Sequence, residues 1–89
     1  MKAVVTVVGK DRVGIIASVC VKLAQYNINV LDINQTVMQG YFTMMMVVDV
    51  SAANLPLASI CQQMDAHGLE MGLSIRVQRE DIFNAMHQV

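Results

Sequence analysis

Two stretches of this chain, Lys2 to Val8 and Tyr41 to Val50, are apolar on consecutive residues rather than on alternate ones. Side chains along a strand point to opposite faces in turn, so each stretch, once extended, carries apolar groups on both sides of a sheet. Both therefore belong in the middle of a sheet. Val30 to Met38 behaves differently: Leu31, Ile33 and Val37 fall on one face and Asp32, Asn34 and Thr36 on the other, as in an edge strand. Gln39-Gly40 supplies a turn before Tyr41, which makes the second and third strands a hairpin. Met71 to Arg79 alternates as well, with Leu73, Ile75 and Val77 inward and Ser74, Arg76 and Gln78 outward.

Two segments carry helical periodicity instead. From Val13 to Gln25 the positions Ile16, Val19, Cys20, Leu23 and Ala24 share a face, with Ser18, Lys22 and Gln25 opposite. From Leu55 to His67, Leu57, Ile60, Cys61 and Met64 form a stripe that stops at Gly68, with Pro56 in the first turn and Asn54 or a neighbour as the cap. A short tail helix fits residues 81–87, where Ile82, Phe83 and Met86 share one face.

The resulting order, βαββαβ, is that of an α+β ferredoxin-like sandwich. Its antiparallel sheet has strand order 4-1-3-2, and both helices lie on one face. The two-faced strands, one and three, are then central, and the alternating ones are the edges. Nothing divides the chain, so residues 1–89 read as one domain. Val4, Val8, Met44, Met46 and Val48 are too many apolar groups for the helix-covered face alone, so the second face is expected to be covered by a partner subunit or by the tail helix.

Composition narrows the partners. A domain of 89 residues buries only about 60–65% of its unfolded surface, and 55% of these residues are hydrophobic, so association into a homodimer is expected. The formal net charge is −1, and basic residues cluster only at Lys10/Arg12 and Arg76/Arg79, which argues against a nucleic-acid partner. No apolar run reaches 18 residues, and Met1-Lys2 leads straight into a strand without a signal pattern, so the chain reads as cytoplasmic with no membrane partner. Cys20 and Cys61 are isolated on helix faces and are expected as buried thiols.

Catalytic chemistry finds few residues to stand on. No HExxH, CxxC, GxSxG or phosphate-loop spacing occurs, and no cofactor is called for. His67 and His87 stand at predicted helix ends, where an imidazole meets the last carbonyls, and Asp32 with Asn34 reads as a solvated edge pair. The Met44-Met45-Met46 run reads as core.

One segment does carry a site. Gly9-Lys10-Asp11-Arg12-Val13-Gly14-Ile15-Ile16 joins the first strand to the first helix. Gly9 offers a positive φ where the strand stops, Asp11 a helix cap, and Gly14 a first helical turn without a side chain. With Leu23-Ala24 ending the helix and Ile28-Asn29-Val30 opening strand two, the segment resembles the signature turn of the ACT domain. Asn34-Gln35-Thr36, Tyr41-Phe42-Thr43-Met44 and the tail Asp81 to His87 resemble stand-alone single-ACT proteins of unassigned function. The resemblance implies a small-molecule effector of the amino-acid class and a dimer formed side by side. It also implies a site where Asp11, Arg12, Gly14 and Ile15 of one subunit meet Asn29 of the other. Two departures bear on the ligand. Val13 stands where many members have Pro, and Asp11 stands where serine-binding relatives have Asn. A carboxylate there attracts an ammonium group. Arg12 either takes the ligand's carboxylate or is a surface residue. The role stays open between a ligand-sensing regulator of a protein partner and a ligand-independent dimerising adaptor.

Overall fold

The computed structural model describes residues 1–10 and 13–81. The chain runs β1 (Lys2–Lys10), α1 (Ile15–Gln25), β2 (Asn29–Met38), β3 (Tyr41–Asp49), α2 (Leu57–Met71) and β4 (Ser74–Arg79). All strand pairs are antiparallel, in the order β2-β3-β1-β4, which is the expected 4-1-3-2 read from the other edge. Gln39 (φ 52°) and Gly40 (φ 80°) close the β2–β3 hairpin as a two-residue turn with both φ values positive, the geometry that matches the strands' own twist.

Alternate residues of the central strands supply the core. Ala3, Val5 and Val7 of β1 stand opposite Val48, Met46 and Met44 of β3. With Ile75 of β4 they form one buried cluster together with Ile15, Val19 and Leu23 of α1 and Ile60 and Met64 of α2. Met44, Met46 and Val48 are two residues apart and so all face the helices, whereas Val4 and Val8 point to the second face, as the excess of apolar groups required. Met45 and Val47 join them there. Val4 is 4% exposed there, whereas Val8 is 42% exposed. The expected tail helix lies outside the described residues beyond its first position, Asp81.

Several boundaries moved, each for a local reason. α1 starts at Ile15, not Val13, and its buried stripe is Ile15, Val19 and Leu23. Ile16, placed inward by periodicity, is exposed, and Ser18, placed outward, is half-buried. α2 starts after Pro56, and the Asn54 side chain donates to the Gln25 carbonyl at 3.1 Å rather than capping the helix. Gly68 does not stop α2. The helix continues one turn to Met71 and ends at Gly72, whose φ of 71° makes it the left-handed C-cap. Gly68 is instead the point of closest approach to β4, since a Cβ there would sit 2.8 Å from the Leu73 carbonyl oxygen. β4 consequently opens at Ser74 rather than Met71.

β2 keeps its predicted alternation but is exposed along its length, with only Val30 half-buried. Leu31 is the extra residue of a register shift between Val30 and Asp32. Past it, Ile33 and Val37 stand beside Met46 and Phe42 on the helix-side face, yet they are exposed and neither α1 nor α2 covers them.

Candidate functional site

β1 delivers the chain to Lys10, and α1 receives it at Ile15. Asp11 and Arg12 lie between, outside the described residues. Gly9 does not break the strand, as the sequence suggested. It sits inside β1 with no positive φ, and its missing Cβ makes room for Leu73, whose Cδ2 occupies that space. The left-handed residue is Gly14, with φ 92° and ψ 0°, and it occupies the N-cap of α1. The N-cap position is therefore Gly14; Asp11, expected as the cap, lies outside the described residues, and no side chain among the described residues bonds the end of the helix.

The consequence is an open helix N-terminus. Gly14 spends its carbonyl on the Ser18 amide at 2.9 Å, but no side-chain oxygen of the described residues bonds the amides of the first turn. No atom of the described residues lies within 4 Å of the place a Gly14 Cβ would take, and the neighbouring Val13 is fully exposed. A helix N-terminus with free amides suits an anionic or hydrogen-bond-accepting group. Ile15 contributes only its backbone, because its side chain is 2% exposed and packed in the core.

Behind the first turn, α1 is tied to α2. Ser18 Oγ lies 2.9 Å from His67 Nε2 and donates to Met71 Sδ at 2.9 Å. His67 is thus a helix–helix contact in mid-α2, not the helix-end residue expected from the sequence; His87 lies outside the described residues. Periodicity missed this cluster because it set Ser18 on the solvent side. A signal was present in His67 and Met71, one turn apart on a single helix face.

Asn29, the expected contribution from the other subunit, opens β2 and pairs with Asp49. Asp49 also pairs with Lys2, at the end of the sheet away from the Lys10–Tyr41 pair. One chain does not bring Asn29 to Gly14. Asn29 lines instead a shallow cavity of about 280 Å³ with Asn27, Ile28 and Ala52. A second cavity, of about 290 Å³, adjoins the end of β1 and is walled by Lys10, Met71, Gly72 and Leu73.

The remaining candidates are structural. Asp32 Oδ1 accepts the Ile33 amide at 2.9 Å on the β2 edge. Cys20 and Cys61 are half-buried free thiols rather than fully buried ones. The Cys61 thiol contacts the Val77 carbonyl at 3.3 Å, and burial pushes its pKa up from the ordinary value of 9.0. Among the described residues no three His, Cys, Asp or Glu side chains gather to hold a metal, and no helix is long and apolar enough to cross a membrane.

The geometry agrees with what the chain resembles. An ACT domain family pattern matches residues 2–78. A UPF0237 protein of Listeria innocua is 49% identical over 89 residues, covering all of both chains. The solved ACT domain protein from Streptococcus pneumoniae shares 42% identity over 93% of each chain with a TM-score of 0.82. A formyltetrahydrofolate deformylase from Pseudomonas syringae shares the fold at a TM-score of 0.79 and 21% identity, with the match covering 88% of this chain and 27% of that one.

Proposed function

The chain belongs to the ACT domain family, and from that premise we propose that it is a non-catalytic regulatory module, cytoplasmic, that senses an amino acid or similar metabolite between two copies of itself. The observation that carries this reading is the α1 N-terminus, where Gly14 is the N-cap and no side chain of the described residues covers the amides or the space beside Gly14.

The edge strand β2 supports the dimer. It is ten residues long, its free side has unpaired backbone groups, and Leu31, Ile33, Val37 and Met38 are exposed on it. Long apolar edges invite a second strand. Two copies joined β2 to β2 about a two-fold axis run antiparallel, so the Asn29 end of one strand meets the Met38 end of the other. Met38 pairs with Tyr41, and Tyr41 with Lys10, so this arrangement carries Asn29 toward the partner's β1–α1 turn. In the proposed site an amino acid directs its ammonium toward Asp11, with Arg12, the free amides and the partner's Asn29 as the other polar groups around it.

Thermal-shift screening of the twenty amino acids tests the sensing role, since a ligand of the native state raises stability with concentration. Asp11→Asn should weaken amine-bearing ligands with little loss of stability, and dicarboxylates lacking an amine should bind poorly. Unchanged affinity in Asp11→Asn would remove Asp11 from the site. Sedimentation tests the dimer: wild type should sediment as a dimer, and Ile33→Lys as a monomer with the fold retained. A second reading, the ligand-independent adaptor, is favoured by Val8, Met45 and Tyr41, exposed on the sheet face opposite the helices. It expects a stoichiometric protein partner and no stabilising metabolite.

A further inference from the structure

We propose that the cavity between the end of β1 and the α2–β4 junction is the specificity subsite for the ligand, holding the carboxylate of an amino acid on Lys10 and its aliphatic or thioether side chain against Met71 and Leu73. This rests on the sensing role proposed above and narrows it to a ligand class.

β1 runs two residues past its last pair with β4, Val8 opposite Ser74, so Gly9 and Lys10 overhang the point where α2 gives way to β4. The overhang and the α2–β4 link enclose the cavity of about 290 Å³. Small-molecule sites start at about 300 Å³, so this one suits a ligand of amino-acid size and is too small for a nucleotide. Its apolar wall is Leu73, nearly buried, and the half-buried Met71, whose flexible thioether adapts to aliphatic groups of different shape. Gly9 keeps that wall in place, because any Cβ there would displace the Leu73 side chain.

The charges at the two ends of the cavity are opposite. Lys10 is exposed and has no ion-pair partner among the described residues, so its ammonium is available to an anion. The other wall is the C-terminal end of α2, at Met71 and its cap Gly72. The carbonyl end of a helix favours a cation and disfavours a second anion. A zwitterion fits this pair of charges; a dicarboxylate does not. Met71 also ties the cavity wall to the start of α1, because its Sδ accepts from Ser18, whose amide is bonded to the Gly14 carbonyl.

The experiment measures dissociation constants for glycine, serine, aspartate, leucine and methionine by following backbone amide shifts of the ¹⁵N-labelled full chain, in wild type, Lys10→Gln and Lys10→Arg. Leucine and methionine should bind more tightly than glycine, serine or aspartate and should shift the Gly72 and Leu73 amides. Lys10→Gln should weaken them by about tenfold or more, and Lys10→Arg should restore most of that loss, as expected for a charge-assisted contact. Equal leucine affinity in Lys10→Gln, or tighter binding of serine or aspartate, overturns the inference. If a polar amino acid binds and moves Gly14 but leaves Gly72 unmoved, the sensing role stands and this subsite falls. If none of the five, and none of the remaining amino acids, binds, both fall together.

Discussion

Ser18 Oγ and His67 Nε2 meet at 2.9 Å between α1 and α2, and the same hydroxyl gives its proton to Met71 Sδ. A hydroxyl has one proton to donate, so its contact with the imidazole is one in which Nε2–H donates and Oγ accepts. Ser18→Ala removes both bonds and leaves a half-buried imidazole donor without its acceptor. The expected cost is about 1 kcal/mol, or a fall in melting temperature of about 4–8 °C for a domain of this size. Nitrogen chemical shifts of His67 should report the proton on Nε2 in wild type and lose that preference in the variant.

Gly68 is a second place where side-chain absence is structural. An alanine in the interior of an exposed helix normally gains about 1 kcal/mol over glycine. Here the new Cβ would stand 2.8 Å from the Leu73 carbonyl oxygen and 3.1 Å from Ile75 Cγ1. The carbonyl cannot retreat freely, because the Leu73 amide is held to the Gly68 carbonyl at 2.8 Å. Overpacking therefore outweighs propensity, and Gly68→Ala should destabilise by about 1–3 kcal/mol in chemical denaturation.

Gly14 requires a different substitution for a clean test. Its φ of 92° is one that a β-branched residue adopts only with strain, so Gly14→Val should cost about 1–3 kcal/mol even with no ligand present. The sequence placed Gly14 within the first helical turn, where φ is negative; at the N-cap its φ is positive. Asn tolerates the left-handed region better. Gly14→Asn should keep the fold within about 1 kcal/mol of wild type while its side chain blocks the open amides, so that ligand-induced stabilisation is lost.

Cys61 makes a pH prediction. Burial raises its pKa above 9.0, so the folded state holds the thiol proton more tightly than the unfolded chain does. The stability it contributes is complete below the unfolded value and is lost as pH rises through the folded one. Unfolding curves should thus show a decline above pH 9 that Cys61→Ser lessens. At pH 7.5 the native thiol should react with iodoacetamide more slowly than an unfolded-chain thiol, since the thiolate is the nucleophile.

What the sequence by itself determined is the set of elements and the layering of the sheet. The consecutive apolar residues of β1 and β3 leave those strands nowhere to go but the centre, and the alternation in β2 and β4 suits the edges. The place of the β1–α1 connection was also legible, and Gly14 marks it, a left-handed residue at the start of the helix. The roles of Gly9 and Gly68 were not. Gly9 answers to Leu73, far along the chain, and Gly68 to Leu73 and Ile75 on the strand that folds back against α2, contacts that only the tertiary packing creates. The facing of α1 was equally out of reach. A helical wheel ranks Ile16 above Ser18 for burial, but docking against α2 rotates the helix until Ser18 meets His67 and Met71. A stripe of one helix can bury only what another element comes to cover, and where that element lies is decided by the packing of the whole chain.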